Sequence, residues 1–418
     1  MTATRTRRLA AVTALAGAVI GGLHARGLGA TGPDEHDSGE KKVALSPEAL
    51  AQYVPSAYAF DIPAWMPRPL EPRDNPTTAA KVELGRRLFY DKRLSLNRTL
   101  SCASCHRQEL AFTDGRAVSP GALGDRTPRN AMSLANVAYA PVLTWANPIL
   151  HSLERQALVP LVGTEPIELG MAGLDDELAA RLCADPVYPP LFAKAFPEYP
   201  TALSLKTVVR ALAAFERTLI SARSPYDRYR YEGDVAAISE SAIRGEALFF
   251  GERLECHHCH GNFNLNDSMM HARNRIGEIA FHNTGLYNLD GKGAYPSDNT
   301  GLEEHTGRPE DMGRFKAPSL RNVAVTAPYM HDGSIPTLEA VLDHYAAGGR
   351  TIAAGPHAGV GRDNPLKSSF VSGFTLSPED RADLLAFLRS LTDEDFLENP
   401  GFSDPWKEDA GTPAGGVR

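Results

Sequence analysis

This chain of 418 residues contains two copies of the pattern Cys-x-x-Cys-His, at residues 102–106 and 256–260, and any fold has to accommodate both. Each copy follows a similar segment, which reads LGRRLFY at residues 84–90 and RGEALFF at residues 244–250. The chain therefore contains a duplicated module. Four of the five cysteines stand in these two clusters, and the total is odd, which argues against a framework of disulfides.

In each pattern, two thiols can bond to the two vinyl groups of one haem, and the adjacent histidine can ligate the iron. A redox dithiol does not need that histidine, and a zinc site needs both cysteine pairs to converge on one ion. The sequence therefore predicts two covalently bound haem c groups. The residues are Cys102, Cys105 and His106 for the first haem, and Cys256, Cys259 and His260 for the second. We expect the remaining Cys183 to be a buried or reduced thiol without a role.

The sequence also predicts a helix that closes each module. Apolar residues recur at helical spacing over residues 204–221 and 377–391, and no alternating strand pattern spans either module. We therefore expect a mainly α fold of two tandem cytochrome c-like haem domains with long loops. The expected divisions are a signal peptide (1–30), an N-terminal extension (31–76), the haem-1 domain (77–225), the haem-2 domain (226–395) and a C-terminal tail (396–418).

The N-terminus has the pattern of a secretory leader. Arg5, Arg7 and Arg8 precede an apolar run of small residues at 9–23, which is short for a transmembrane helix. We therefore expect export to the periplasm and no stable membrane insertion after cleavage. The net charge of −8, from 43 basic and 51 acidic residues, disfavours a nucleic-acid partner.

The axial ligands decide what each haem does, because an iron with an open position can bind peroxide whereas two strong ligands favour electron transfer. Between His106 and Pro128 the sequence has no histidine or methionine. We therefore expect the first haem to be five-coordinate. Composition alone does not choose among the candidate ligands of the second iron, which are Met312, Met330, His331, His344 and Tyr345.

Several other segments resemble the bacterial di-haem cytochrome c peroxidase and MauG superfamily, and the similarity extends from about residue 77 to residue 392. These segments are TPRN at 127–130, TWAN at 144–147, APSLRN at 317–322 and TAPYMHDG at 326–333. The segments most similar to MbnH-type members are AFTDG at 111–115, MSLANV at 132–137 and HNTGLY at 282–287. The resemblance implies an enzyme, a di-haem oxidoreductase.

By this resemblance, the second iron is ligated by His260 and Tyr345. The peroxidase branch has methionine at the tyrosine position, whereas MauG has tyrosine. A phenolate stabilises high-valent iron, while a thioether favours the reduced state. His344 and Met330 remain alternatives, because the alignment rests on family spacing. The peroxidase branch also has a detachable histidine ligand on the loop before TPRN, which this sequence lacks, so direct reaction of the diferric protein with peroxide is implied.

The resemblance also assigns the residues around the open side of the first haem. Glu168 is implied as the general acid and base, and Gln156 as its polar neighbour. The spacing of this segment is two residues longer than in the peroxidases, which leaves Glu165 as a rival to Glu168.

Two further features are implied by the family pattern. Trp145 corresponds to an indole between the two haems, where an oxidisable ring can couple the irons. One calcium ion is implied, because oxygen donors of the kind that calcium prefers occur at the matching positions. Those donors belong to Asn130, Thr326 and Pro328.

The implied function is that of a MauG/MbnH-like oxidase. Hydrogen peroxide generates a high-valent, bis-Fe(IV)-like state, which oxidises a residue of a periplasmic partner protein by long-range electron transfer. The MbnH likeness implies a tryptophan of an MbnP-like partner, converted to kynurenine. Alternatives are a peroxidase that reduces H2O2 to water with electrons from a small cytochrome or cupredoxin, and an electron-transfer cytochrome with two six-coordinate haems. MauG has a tryptophan exit route shortly before its second haem motif, where this chain has Leu254, so the electron path is left open.

Overall fold

The computed structural model describes residues 58–199, 202–274 and 279–407. The predicted signal peptide and most of the predicted N-terminal extension lie outside these ranges. Among the helices that the structure describes, none is both long enough and apolar enough to cross a membrane.

The described chain is built from helices and long loops, so the prediction of a mainly α fold is confirmed. The α-helices are α1 (Ala79–Tyr90), α2 (Cys102–Cys105), α3 (Leu153–Val162), α4 (Asp175–Cys183), α5 (Tyr188–Ala195), α6 (Leu205–Glu216), α7 (Pro225–Glu232), α8 (Glu240–Phe249), α9 (Glu303–Thr306), α10 (Leu338–Ala346), α11 (Pro378–Arg389) and α12 (Glu394–Glu398). Short 3₁₀ turns occupy Lys92–Leu94, Gln108–Leu110, Val137–Tyr139, Cys256–His258, Pro309–Asp311, Val323–Val325, Gly361–Asp363 and Pro400–Phe402. Two short strands, β1 (Thr351–Ile352) and β2 (Gly359–Val360), pair antiparallel with Thr351 opposite Val360.

The repeat seen in the sequence appears as two equivalent helix pairs, α1 with α6 and α8 with α11. A glycine stands where the helices of each pair cross. A Cβ atom added at Gly85 would lie 2.0 Å from the carbonyl oxygen of Ala211, and one added at Gly245 would lie 2.0 Å from that of Asp383. Only a residue without a Cβ allows the two backbones to approach so closely.

Both closing helices begin where the sequence predicts. The side chain of Ser204 accepts a hydrogen bond from the Thr207 amide at the start of α6, and Ser377 plays the same part at the start of α11. However, α6 ends at Glu216 rather than near residue 221. The chain beyond it is held elsewhere, because Oγ of Ser221 and the next two amides donate hydrogen bonds of 2.8–2.9 Å to the carboxylate of Asp393.

The two modules have separate apolar cores. The first core includes Leu84, Leu88, Phe89, Phe112 and Phe215, and the second includes Phe249, Leu254, Leu265, Phe387 and Leu388. Polar contacts join them, including a 3.0 Å hydrogen bond from the side chain of Asn136 to that of Asn264. Cys183 is a free thiol, as one of the two expectations for it has it, but it is exposed rather than buried. It is the last residue of α4, whose buried positions, Leu178 and Leu182, lie on another side of the helix. The expected domain boundaries stay predictions.

Candidate haem site

A single cavity of about 700 Å³ is lined by residues of both Cys-x-x-Cys-His motifs. The predicted site residues on its wall are Cys105, His106, Asn130, Trp145, Gln156, Glu168, Cys256, Cys259, His260, Thr326, Pro328 and Tyr345. Cys102 packs against the first core instead. The fold thus brings residues that are far apart in the sequence, such as Cys105 and Tyr345, together around one cavity.

The two motif histidines are held in the same way. Nδ1 of His106 lies 2.7 Å from the carbonyl oxygen of Phe112, and Nδ1 of His260 lies 3.1 Å from that of Leu265. A carbonyl can only accept, so each Nδ1 carries the proton and donates it, which leaves Nε2 free for a metal. Burial lowers the pKa of both imidazoles, which favours the neutral form that ligates iron.

The motif cysteines are free thiols. Burial raises the pKa of Cys105 to about 11 and that of Cys256 to about 12. Stable thiols suit covalent attachment to vinyl groups better than they suit a zinc thiolate site, where the pKa must fall. Among the described residues, no group of close metal-ligating atoms unites the two cysteine pairs. The cavity and its donors therefore fit two haem c groups.

Tyr345 extends from α10 to the cavity wall. Burial raises the pKa of its phenol. The phenol is therefore neutral in this setting unless a cation compensates the charge of the phenolate. Ligation by Tyr345 stays a prediction.

The other candidate ligands of the second iron are placed differently. Met330 and His331 also line the cavity, and the ring of His331 stacks on Phe315 with 3.6 Å between centroids. Met312 and His344 are not among the lining residues. The buried ring of His344 instead lies edge to face with Tyr345, at 5.0 Å. The stacking covers a face of the His331 ring and leaves Nε2 without a hydrogen-bond partner among the described residues, so Tyr345, Met330 and His331 are the candidate ligands on the cavity wall.

Glu168 lies on a loop that hydrogen bonds attach to α3. The amide of Leu169 donates to the carbonyl of Pro160 at 2.9 Å, and the amide of Met171 donates to that of Leu161 at 2.8 Å. Burial raises the pKa of the Glu168 carboxyl. Its rival Glu165 also lines the cavity but is exposed. A carboxyl with a raised pKa holds and returns a proton more readily near neutral pH.

Trp145 is fixed between segments of the two modules. Its indole Nε1 donates a 2.8 Å hydrogen bond to the carbonyl of Asn130, and its own carbonyl accepts one from the amide of Lys316 at 2.8 Å. The Asn130 amide in turn donates to the carbonyl of His331, also at 2.8 Å. This chain of bonds links the TPRN, TWAN and TAPYMHDG segments, so the predicted calcium donors and the indole belong to one assembly.

Three ionisable groups near the cavity were not predicted from the sequence. Glu216 is buried on the wall, and burial raises the pKa of its carboxyl to about 8. Burial lowers the pKa of Lys316 to about 8, and its Nζ donates to the carbonyl of Val142 at 2.9 Å. Although burial alone would lower it, a hydrogen bond to Asp267 raises the pKa of His282 to about 10. Of the three, Glu216 has a signal in the sequence, because it is an acidic residue among the apolar positions of α6.

Comparisons with known proteins agree with this geometry. The family model for di-haem cytochrome c peroxidases matches residues 79–236, and a RoxA-like, cytochrome c-like model matches residues 314–347. Methylamine utilization protein MauG of Methylorubrum extorquens is 36% identical over 328 residues, which cover 77% of this chain and 81% of that protein. Cytochrome c peroxidase of Escherichia coli is 32% identical over 77% of this chain and 60% of its own length.

Solved structures show the same relationship. A MauG-like protein associated with microbial copper homeostasis is 55% identical, with a TM-score of 0.82, and the match covers 84% of this chain and all of that one. The di-haem peroxidase BthA of Burkholderia thailandensis, at 21% identity and a TM-score of 0.59, shares the fold. The expected enzyme class and the two cytochrome c-like modules are thereby confirmed. This chain belongs to the di-haem cytochrome c peroxidase and MauG family of oxidoreductases.

Proposed function

We propose that this protein is a MauG/MbnH-like oxidase that uses hydrogen peroxide to oxidise a residue of a periplasmic partner protein. The observation that carries the proposal is that Tyr345 shares the cavity wall with the second haem motif. By the family resemblance, the peroxidase branch has methionine at this position. The two haems, bound through the motif cysteines, supply the reaction with peroxide and the storage of two oxidising equivalents.

Tyr345 and His260 are the proposed ligands of the second iron. Burial keeps a free phenolate unstable at Tyr345, so its ionisation depends on the positive charge of the metal. An anionic oxygen donor lowers the reduction potential of iron, whereas a thioether raises it. A site with tyrosine therefore retains oxidising equivalents for transfer to another protein.

Glu168 is the proposed proton carrier at the first haem. Its carboxylate takes a proton from incoming peroxide and returns it to the departing oxygen as water forms. Gln156, on α3, orients the peroxide by hydrogen bonding. The raised pKa of Glu168 and the exposure of Glu165 support this assignment over the alternative.

Trp145 is proposed to couple the two haems electronically. Its indole is held by the hydrogen bond to the Asn130 carbonyl, so the ring keeps one orientation during electron transfer. We further propose one calcium ion, bound by the side-chain oxygen of Asn130 and the carbonyls of Thr326 and Pro328. The ion would stabilise the loops on either side of Trp145.

The proposed partner is an MbnP-like periplasmic protein in which a tryptophan becomes kynurenine. The 55% identity to a MauG-like protein associated with microbial copper homeostasis supports this choice. The test adds peroxide to the diferric protein and records the near-infrared charge-resonance band, then adds the candidate partner and identifies its modified residue by mass spectrometry. A requirement for prior reduction, or an unmodified partner, would contradict the proposal.

The second candidate function is reduction of peroxide to water with electrons from a small cytochrome or cupredoxin. Relatives named cytochrome c peroxidases, such as the E. coli protein at 32% identity, favour it. Rapid steady-state oxidation of a reduced cytochrome by peroxide, without partner modification, would support this alternative.

A further inference from the structure

An aromatic pair lies outside the cavity, against the loop that follows the second haem motif. The rings of Trp65 and Tyr231 are stacked, with 4.1 Å between centroids and 16° between planes. Trp65 also meets Phe263 edge to face, with 6.2 Å between centroids. At this distance the two rings are in direct van der Waals contact.

Phe263 connects the pair to a predicted iron ligand. It stands three residues after His260 in the sequence. The same loop provides the Leu265 carbonyl that accepts the hydrogen bond from Nδ1 of His260 at 3.1 Å. The aromatic pair therefore touches the segment that orients the proximal histidine of the second haem.

The pair also reaches the surface. Tyr231 is 37% exposed, and the nearby Val235 is 76% exposed. Nε1 of Trp65 is buried and has no hydrogen-bond partner among the described residues. Trp65 thus has no neighbour among these residues to accept its indole proton. Burial raises the pKa of the resting Tyr231 phenol, but oxidation makes a phenol strongly acidic, so the partly exposed Tyr231 loses its proton on oxidation.

The positive charge of Arg321 lies near Trp65 and is compensated by Asp227. Arg321 forms a bidentate pair with Asp227, at 2.7 and 2.9 Å, and donates to the carbonyl of Phe263. Its guanidinium lies 6.0 Å from the centre of the Trp65 ring. Because Asp227 offsets the positive charge, Arg321 opposes oxidation of Trp65 less than an unpaired cation would.

The other two tryptophans occupy different places. Trp145 lines the cavity, and Trp406 packs against Tyr188 and Arg93 of the first module. Trp65 is therefore the tryptophan in contact with the loop after His260. Its stack with the partly exposed Tyr231 connects that loop to the surface.

We propose that Trp65 and Tyr231 form an electron relay between the second haem and a docked partner protein. This inference rests on the proposed function, with hydrogen peroxide as the oxidant. One electron passes inward from Tyr231 through Trp65, and the phenol releases its proton, which leaves a neutral tyrosyl radical. An aromatic side chain of the partner then returns one electron to Tyr231, and solvent returns the proton. Two such passes, with two protons, reduce one H2O2 to two waters.

The experiment uses the purified protein with both haems, treated with peroxide in the absence of a partner. Samples frozen at successive times are examined by electron paramagnetic resonance, and oxidised side chains are mapped by peptide mass spectrometry. The variants are Tyr231→Phe and Trp65→Phe, with Trp406→Phe as the matched control. Tyr231→Phe keeps the stacked ring and removes only the phenol oxygen, so it separates redox chemistry from packing.

We expect the wild type and Trp406→Phe to give the same tyrosyl radical signal and oxidation at residues 65 and 231. Both relay variants should lose that signal, and their near-infrared band should last severalfold longer. A Tyr231→Phe protein with the wild-type radical signal and band lifetime would overturn the relay alone. Absence of the band from the wild type would refute the proposed function and, with it, the relay.

Discussion

Glu216 gives the sharpest quantitative prediction, because its carboxyl is buried on the cavity wall. Its Oε2 has no hydrogen-bond partner among the described residues. The adjacent Arg217 pairs with Glu154 at 2.8 Å, so its charge is largely used there. Burial raises the pKa of Glu216 from 4.5 to about 8. At about 1.4 kcal/mol for each pKa unit, this change corresponds to roughly 5 kcal/mol.

The sign of the pH dependence follows from proton binding. The unfolded chain releases the Glu216 proton near pH 4.5, whereas the folded protein keeps it until about pH 8. Between these values the folded state binds more protons, so its stability falls as the pH rises. Glu216→Gln keeps the shape and removes this dependence. We therefore expect little difference from the wild type near pH 4.5, and a variant more stable by roughly 5 kcal/mol above pH 8.

The measurement is urea unfolding of the protein with both haems at several pH values from 4.5 to 8.5. The urea midpoint is compared between proteins, and the slope of the unfolding free energy against urea concentration is compared to detect changes in the unfolded state. Glu165→Gln is the control, since it makes the same replacement at an exposed carboxyl. A constant difference between Glu216→Gln and the wild type across this range would refute the argument from burial.

Four further predictions concern the site and its support. Tyr345→Phe should abolish the low-spin tyrosinate spectrum of the second haem, and an unchanged spectrum would mean that Met330 or His344 is the ligand instead. Glu168→Gln should slow the reaction with peroxide by about 10²- to 10⁴-fold in stopped-flow measurements, whereas the exposed carboxyl of Glu165 should be replaceable without such loss. Gly245→Ala should lower the free energy of unfolding by about 2 kcal/mol, because the clash of the new Cβ with the Asp383 carbonyl outweighs the gain in helix propensity. Unaltered urea unfolding would contradict this. Elemental analysis should find one calcium per chain in the wild type and a loss of it in Asn130→Ala, and equal contents would argue against this site.

The parts that could be predicted from the sequence are those that depend on neighbouring residues. The two haem motifs were readable because attachment needs two thiols and a histidine within five positions. The starts of α6 and α11 were readable because Ser204 and Ser377 cap amides only three residues away. The end of α6 was not, because the segment after Glu216 bonds to residues that are distant in the sequence: the Leu219 carbonyl accepts from the Asn136 amide, and the amides after Ser221 donate to Asp393.

The cofactor class, the helical class and the duplication therefore follow from the amino-acid sequence, since each depends on local chemistry or a repeated pattern. Packing of the folded chain sets which side chains share the cavity with the motifs, buries the carboxyl of Glu216 and leaves Cys183 exposed. It also stacked Trp65 on Tyr231. Burial and long-range contact arise only when the two modules pack together, so no local pattern specifies them.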